Sequence, residues 1–230
     1  MTFSEFKDIV LAEFGEIDGG RLEQFAALEA PYADWNSKIN VISRKDMDNL
    51  YSHHVLHSLS IASYLRRECP ALDEKLRRGA SVLDLGTGGG FPGIPLAIMY
   101  PSSRFTLCDS VGKKLKVASA VAGEAGLGNV AVVNARAETL PEVFDVVVSR
   151  AVTSLENFYP WVKDKFSDSI LYLKGGDINP EISELMRKFH LQKGCVRTWK
   201  VDSFLKDEYF AEKFVIHIEK IYLCNPKSEI

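Results

Sequence analysis

The chain of 230 residues is 46% hydrophobic and 26% charged, which is the composition of an ordinary globular protein with one large domain. Its formal net charge of -3 does not exclude a nucleic-acid partner, because acidic residues are concentrated in residues 1–34 and the remainder is basic. No apolar run approaches the roughly 20 residues that span a bilayer, and the acidic start has no signal-peptide pattern. We therefore expect a cytoplasmic protein without a membrane partner.

The cysteines argue against both a disulfide framework and a metal site. Cys69, Cys108, Cys195 and Cys224 are widely spaced and form no CxxC pair. This usage is typical of a reducing compartment.

The first eighty residues have helical periodicity without strand alternation. Apolar residues at helical spacing predict helices over residues 6–14 and 22–32, and a third helix over residues 48–67. His53, His54 and His57 belong to this third helix, and their spacing favours a partly buried face over a metal site, since no acid nearby completes a ligand set. We expect residues 1–79 to form a helical cap on a Rossmann-like domain of residues 80–230, the two forming one compact unit.

After residue 79, short β-branched runs alternate with helical ones. The predicted strands cover residues 81–85, 104–108, 130–134, 145–149, 170–174, 196–201 and 213–221. The predicted helices cover residues 92–100, 111–125, 154–166 and 182–190. This alternation is the signature of a doubly wound α/β fold with a mainly parallel sheet. The clean alternation of the last strand, extended to Leu223, predicts an antiparallel addition at a sheet edge.

The run SVLDLGTGGGFPGIPLAI, residues 81–98, joins the first strand to the next helix. Gly86, Gly88 and Gly90 permit positive φ and close approach to the backbone. Pro92 fits the first helical turn, whose amides would then face an anionic group. The four glycines within residues 86–90 exceed the needs of a tight turn, so we predict a loop that cradles a nucleotide-like cofactor at the carboxyl edge of the sheet.

The identity of that cofactor depends on the register of the glycines. Gly88-x-Gly90-x-x-Gly93 formally matches the dinucleotide pattern, but the strand ends before Gly86 and Gly93 would lie inside the helix. This register disfavours NAD. Asp84 could orient the loop amides or contact a cationic ligand group, and S-adenosylmethionine carries both an amine and a carboxylate.

Two further acids follow later strands. Asp109 lies after the second strand, where an acid accepts hydrogen bonds from ribose hydroxyls, although it could instead cap the next helix. Ala137 and Glu138 follow the third strand and could frame an adenine ring, with surface charge as the alternative for Glu138.

The fourth strand ends in VVVSRAVTSL, where class I methyltransferases place their reacting groups. The stretch has no Asn/Asp-Pro-Pro-aromatic run for methylation of exocyclic amines. It also has no cysteine for a covalent route to pyrimidine C5. Arg150 stands there instead, as a candidate for positioning the reactants or, alternatively, as one half of a salt bridge.

The stretches VLDLGTGGGFPGIPLAI, CDSVGKKLKVA, ARAE and SRAVTSL resemble the RsmG family, also called glucose-inhibited division protein B. WNSKINVISR and HHVLHSL resemble the helical region of the same family, so the resemblance covers residues 35–176. These are bacterial 16S rRNA guanine-N7 methyltransferases. One departure is His57, where many members carry aspartate.

The resemblance implies a class I S-adenosylmethionine-dependent methyltransferase fold with an N-terminal helical subdomain. It implies cofactor contacts at Gly86, Phe91, Asp109, Ala137, Glu138 and Arg150, and we assign Asp84, Thr87, Gly88 and Gly90 to the same site. Guanine N7 carries no proton, so we expect no general base. Arg150 and, as a further candidate, Lys174 would hold phosphate or a guanine edge.

The expected partner is 16S rRNA or a small-subunit assembly intermediate, and we expect a monomer. Two rival functions stay open: an NAD-dependent oxidoreductase, and a non-catalytic nucleotide-binding partner of RNA or the ribosome.

Overall fold

A helical N-terminal region precedes a seven-stranded sheet in the computed structural model, which describes residues 1–220 with the side chains of residues 44 and 45 excepted. Leu223, Cys224 and the end of the last predicted strand therefore lie outside the described residues.

The N-terminal region contains more helices than the sequence predicts. Its α-helices are α1 (Phe3–Phe14), α2 (Gly19–Ala26), α3 (Glu29–Lys38), α4 (His57–Glu68) and α5 (Pro70–Arg78). A 3₁₀ segment (Arg44–Asn49) and a π-helix (Leu50–Leu56) lead into α4. The predicted helix over residues 22–32 is thus two helices, and the one over residues 48–67 changes its winding at His57. Pro70 lies just beyond the end of α4 and begins α5, where its missing N–H costs nothing.

The second part alternates strands and helices as predicted. Its strands are β1 (Ser81–Leu85), β2 (Arg104–Asp109), β3 (Val130–Asn134), β4 (Phe144–Arg150), β5 (Phe166–Gly175), β6 (Val196–Lys200) and β7 (Lys213–Glu219). Its helices are α6 (Gly93–Met99), α7 (Gly112–Glu124), α8 (Leu155–Val162) and α9 (Asn179–Phe189).

The strand order is β3-β2-β1-β4-β5-β7-β6, with β1 to β5 parallel. The predicted position of the last strand at an edge is wrong, because β7 lies between β5 and β6 and is antiparallel to both. Its residues Val215 to Ile218 are all buried, so the alternation in the sequence did not mark a solvent-facing side. The edge strand at this end of the sheet is β6, which is largely exposed.

The buried core is continuous between the two parts of the chain. One apolar cluster contains Phe6 and Tyr51 from the N-terminal region together with Val82 and Val148 from the sheet. A second cluster packs α8 and α9 on the other face of the sheet. The helical cap therefore contributes to one of the two layers that cover the sheet, and the division of the chain between residues 79 and 80 stays a prediction.

Candidate active site

A cleft of about 640 Å³ lies at the carboxyl ends of four neighbouring strands. In the order in which the strands lie, its lining comes from the segments after β3, β2, β1 and β4. The lining residues are Leu85, Gly86, Asp109, Ser110, Lys114, Ala135, Arg136, Ala137, Glu138, Arg150, Ala151, Val152 and Trp161. Ligands of doubly wound sheets bind at this edge, next to the point where the connections after the neighbouring strands β1 and β4 run in opposite directions.

Five of the predicted site residues line this cleft: Gly86, Asp109, Ala137, Glu138 and Arg150. The other predicted residues of the glycine loop lie behind it. Thr87, Gly90 and Phe91 are buried, and Gly88 is half-buried outside the lining.

The glycines of the loop have positive φ where the sequence predicts it, at Gly86 (+71°), Gly88 (+57°) and Gly90 (+108°). At Gly86, Gly89 and Gly90 of this loop, neighbouring side chains leave no room for a Cβ atom. A Cβ on Gly86 would overlap Val152, and one on Gly89 would lie 2.8 Å from Val41. Much of the glycine content therefore serves packing against the protein itself, and Gly86 is the loop glycine that borders the cleft.

Asp84 orients this loop from below. Its side chain is fully buried, and Oδ2 accepts hydrogen bonds from the Thr87 hydroxyl at 2.6 Å and the Gly93 amide at 2.8 Å. Burial raises the pKa of Asp84 to about 7 despite these two donors. Oδ1 has no partner. Of the two roles that the sequence allowed for Asp84, the structure has the first, orientation of loop amides.

The prediction that the first-turn amides of α6 face the ligand is wrong. The Gly93 amide donates to Asp84, the Ile94 amide donates to the Gly90 carbonyl at 2.8 Å, and every residue of α6 is buried. The helix packs too closely on the sheet for a ligand, since a Cβ on Gly93 would lie 2.6 Å from Asp84 Oδ2.

Asp109 joins the glycine loop to the next segment. Its Oδ2 accepts the Gly88 amide at 2.9 Å, and its Oδ1 accepts the Val111 amide at 2.8 Å. It is therefore not the N-cap of α7, a position that Val111 occupies. Glu138 is exposed on the short 3₁₀ turn that follows β3, with Ala137 buried beside it.

Arg150 ends β4 with its guanidinium held on several sides. Nη1 donates to the His53 carbonyl at 3.3 Å, and Nη2 lies 3.1 Å from His54 Nδ1. The group sits over the Phe91 ring, 5.0 Å from its centroid. Burial lowers the pKa of Arg150 from its ordinary value, but a guanidinium remains charged at neutral pH. The alternative of a salt bridge is not what the structure shows, because no carboxylate pairs directly with Arg150 in residues 1–220.

An acid does lie beside the histidines, contrary to the expectation from the sequence. Asp46 Oδ1 lies 2.6 Å from His53 Nδ1, and Asp46 Oδ2 lies 2.9 Å from His54 Nε2. Burial raises the pKa of Asp46, but hydrogen bonds from both histidines outweigh it and the pKa is lowered. His57 is buried with neither ring nitrogen hydrogen-bonded. In the part of the chain that the structure describes, no group of three or more side chains is arranged to hold a metal.

The backbone turns sharply after Arg150. Ala151 has a φ of +47°, an unusual conformation for a residue other than glycine. The next residues are held from behind: the Thr153 carbonyl accepts hydrogen bonds from Tyr172 Oη at 2.8 Å and Lys174 Nζ at 3.1 Å. Lys174 also pairs with Glu181 at 3.0 Å and does not line the cleft. Lys174 therefore stabilises the loop that follows β4, and its ammonium group does not line the cleft.

Of the eight lining residues that were not predicted as site residues, three add charge or an aromatic ring to the cleft. Lys114 and Arg136 add positive charge to the cleft mouth, and Trp161 from α8 adds an aromatic wall. Lys114 lies in the first turn of α7, a few residues after Asp109. Its place at the cleft could therefore have been inferred from the predicted position of Asp109 at the end of the second strand. Nothing local marks Trp161, because α8 reaches the cleft only through the packing of that helix on the sheet.

Basic residues form four clusters in the sequence: Arg66 with Arg67, Lys75 with Arg77 and Arg78, Lys113 with Lys114 and Lys116, and Lys193 with Arg197 and Lys200. These clusters differ in how many of their charges are paired. Ion pairs with acids engage members of three of them: Arg67, Lys75, Arg77, Arg78 and Arg197. The remaining cluster, Lys113 with Lys114 and Lys116, begins α7 beside the cleft, and no ion pair involves it within residues 1–220.

Comparisons with known proteins agree with this geometry. A family model described as rRNA small subunit methyltransferase G matches residues 21–206. Proteins named ribosomal RNA small subunit methyltransferase G are similar over 91% of this chain: one from Cytophaga hutchinsonii is 43% identical, with 98% of its length covered. One from Flavobacterium psychrophilum is 44% identical, with 96% covered.

Among solved structures, magnesium protoporphyrin IX methyltransferase from Synechocystis PCC 6803 with bound SAM is similar with a TM-score of 0.59 at 12% identity. The match covers 90% of this chain and 99% of that one. A SAM-dependent methyltransferase from Aquifex aeolicus gives a TM-score of 0.50 at 17% identity, over 72% and 97% of the two chains. These likenesses confirm the predicted class I methyltransferase fold.

None of the helices within residues 1–220 has the length and apolar character needed to cross a membrane. The family model spans more than half of the chain, and the relatives match it nearly end to end. The predicted resemblance is thereby confirmed: the chain belongs to the rRNA small subunit methyltransferase G family.

Proposed function

We propose that this protein transfers a methyl group from S-adenosylmethionine to N7 of a guanine in 16S rRNA. Family membership supports the reaction class and a small-subunit rRNA substrate. The observation that carries the cofactor assignment is the cleft, in which carboxylates, cations and a glycine with positive φ come together at the carboxyl edge of the sheet.

The cleft residues fit the chemical groups of S-adenosylmethionine. Asp109 and Glu138 offer carboxylate oxygens to ribose hydroxyls or the ammonium group, and Arg150 and Lys114 offer cations to the carboxylate. Gly86 has no side chain, so its backbone is open to the cleft, and any larger residue at this position would collide with Val152. Because Arg150 lies on the β4 side and Glu138 on the β3 side, we place the reacting end of the cofactor near Arg150 and its base near Glu138.

Methyl transfer to guanine N7 requires the protein chiefly to align the two reactants. Bound S-adenosylmethionine supplies a methyl group on a positively charged sulfur, and guanine N7 supplies a lone pair without a proton to remove. The fixed guanidinium of Arg150 is suited to holding a guanine O6 or a phosphate oxygen at the cleft mouth. Alignment of reactants alone accounts for large rate effects. A catalytic contact of Lys174 is not part of this proposal, since its ammonium group serves Thr153 and Glu181.

The unpaired lysines of α7 offer a positively charged surface next to the cleft that can bind the phosphates of RNA. Lys113, Lys114 and Lys116 lie at the same edge of the sheet as the cleft, with Arg136 beside them. We propose that the RNA backbone crosses this edge, either in 16S rRNA or in a small-subunit assembly intermediate, in the cytoplasm. The monomeric state stays a prediction that light scattering can check.

The rival functions are separable. A nicotinamide-dependent oxidoreductase would bind NAD, whereas we expect calorimetry to detect binding of S-adenosylmethionine and none of NAD. A non-catalytic RNA partner would transfer no methyl group to rRNA from a strain that lacks the gene.

The decisive experiment is single-turnover transfer of labelled methyl groups to that rRNA. We expect Arg150→Ala to lower the rate by roughly 10²-fold, the scale of lost alignment, and Arg150→Lys to recover part of it. Mapping of the methylated base checks guanine N7. A folded Arg150→Ala protein with the normal rate would remove Arg150 from the site, and label on any other atom would refute the assignment of the product.

A further inference from the structure

We propose that Asp46 and His54 are positioning residues that fix the guanidinium of Arg150 for methyl transfer. The inference rests on the proposed function, because it gives Arg150 its role. It extends the active site into the helical N-terminal region.

Three side chains form a continuous chain of hydrogen bonds toward the cleft. Asp46 Oδ2 lies 2.9 Å from His54 Nε2, and His54 Nδ1 lies 3.1 Å from Arg150 Nη2. His54 is buried, and only Arg150 of the three lines the cleft. Asp46 and His54 therefore reach the reactants only through Arg150.

The direction of each hydrogen bond follows from the donors. A guanidinium can only donate, so His54 Nδ1 must accept from Arg150 and be without a proton. The proton of the neutral ring is then on Nε2, which donates to Asp46. Burial first, and Arg150 second, lower the pKa of His54 to about 4, which keeps the imidazole neutral at working pH. Asp46 thus selects the one tautomer of His54 that can accept from Arg150.

The local backbone is also built for this contact. His53 and His54 lie in the π-helix (Leu50–Leu56), a form that is rare and concentrated at functional sites. This winding presents the carbonyl of His53 and the ring of His54 together to Arg150, at 3.3 Å and 3.1 Å. Since His53 also binds Asp46, at 2.6 Å, the acid is held from two sides.

The N–H groups of Arg150 that do not bind the π-helix are available to the reactants. The guanidinium has five N–H donors, and the two contacts to the π-helix leave others unused. Its face rests on Phe91, whose ring is itself stacked on Tyr32 at a centroid distance of 4.9 Å. A long side chain restrained in this way loses little further conformational freedom when it binds substrate.

The test is a double-mutant cycle on single-turnover methyl transfer with melting curves recorded for every variant. We expect His54→Gln to lower the rate by about 10-fold or more, the scale of one lost hydrogen bond to a charged group. In the Arg150→Ala background the same substitution should cause no further loss, because His54 then has nothing to position. Equal losses in both backgrounds, or a normal rate in a folded His54→Gln protein, would overturn the proposal.

His54→Asn supplies the second variant. The amide oxygen of asparagine reaches about as far as the Nδ1 atom of histidine, so we expect it to recover part of the rate that His54→Gln loses. A rate for His54→Asn below that of His54→Gln would contradict the assignment of Nδ1 as the acceptor.

The control is His217→Gln. His217 is another buried imidazole whose pKa burial lowers to about 4, and its nitrogens lie 2.8 Å from Tyr64 Oη and Ser169 Oγ, away from the cleft. This variant should melt earlier and transfer methyl groups at the normal rate per folded molecule. Loss of rate in His217→Gln equal to that in His54→Gln would mean that the effect is one of stability, and would overturn the proposal.

A readout without RNA or cofactor separates this inference from the proposed function. Long-range ¹H–¹⁵N NMR should find His54 of the wild-type protein neutral with its proton on Nε2. A proton on Nδ1 would overturn the positioning role, whatever the enzyme methylates. Failure of the wild-type protein to methylate rRNA, with the expected tautomer present, would instead refute the proposed function.

Discussion

Gly86 allows the most direct test of the cleft. Alanine at this position must keep a φ of +71°, which costs an L-residue roughly 1–2 kcal/mol. Its Cβ would also overlap Cγ2 of Val152 and lie 3.2 Å from Cγ1. Val152 is 38% exposed and lines the cleft, so it can yield only by moving its side chain toward the ligand. We expect Gly86→Ala to lower stability by about 1–2 kcal/mol and to weaken S-adenosylmethionine binding at least tenfold, which is about 1.4 kcal/mol.

Gly88 provides the matched control. Its φ is +57°, but a Cβ there would meet no atom within 4 Å, and it does not line the cleft. Gly88→Ala should therefore lose a similar amount of stability with little effect on cofactor affinity.

The measurements are urea denaturation and calorimetric titration. Removing the Val152 methyl groups in the double variant Gly86→Ala/Val152→Ala should restore most of the affinity but not the stability. If Gly86→Ala binds like the wild type, or if Gly88→Ala loses affinity equally, the packing explanation is refuted.

Tyr32→Phe removes a buried hydrogen bond of 2.8 Å to the Gly89 carbonyl and should cost about 1–3 kcal/mol in urea denaturation; an unchanged stability would show that this bond does not hold the loop. The pKa of Asp84 is raised from 3.8 to about 7 in the folded state, so the contribution of this residue to stability should fall as pH rises through that window. Asp84→Asn should remove this contribution, and a difference in stability between the wild type and Asp84→Asn that rises from pH 4 to 7 would contradict the sign. RNA affinity should fall steeply with salt, and Lys114→Ala should reduce the slope of log K against log salt by about 1. Lys75→Ala, which removes a lysine already paired with acids, should leave that slope unchanged, and equal slopes for both variants would refute the assignment of the RNA face.

The sheet could be predicted from sequence because its signals are local. β-Branched runs bounded by helical periodicity mark β1 to β5 within a few residues of their observed ends. The position of β7 could not be predicted in this way. Alternation normally indicates one solvent-facing side, but β7 is covered on both faces and paired on both edges, and only tertiary packing decides that.

The residues of the active site also differ in whether a local sequence signal marks them. Arg150, Asp109 and Gly86 could be predicted because each stands at the carboxyl end of a parallel strand or directly after it, and parallel strands end at one edge. Asp46 and Trp161 could not, since both reach the site only through the packing of helical segments on the sheet. The loop glycines were assigned to the ligand because a sequence does not reveal that Val41 and Val152 are the neighbours that exclude their side chains.

The interior place of β7 has a consequence for biosynthesis. The strands that carry the cleft are complete once Gly175 has been made, but β6 has no neighbour other than β7. A nascent chain that has emerged only as far as residue 212 therefore exposes one open edge on β5 and an unpaired β6. Open strand edges invite pairing with other chains, and translation adds only about 5–20 residues per second. The nascent chain is thus vulnerable to association until β7 has emerged, and docking of β7 pairs the edge of β5 and one edge of β6 in a single step.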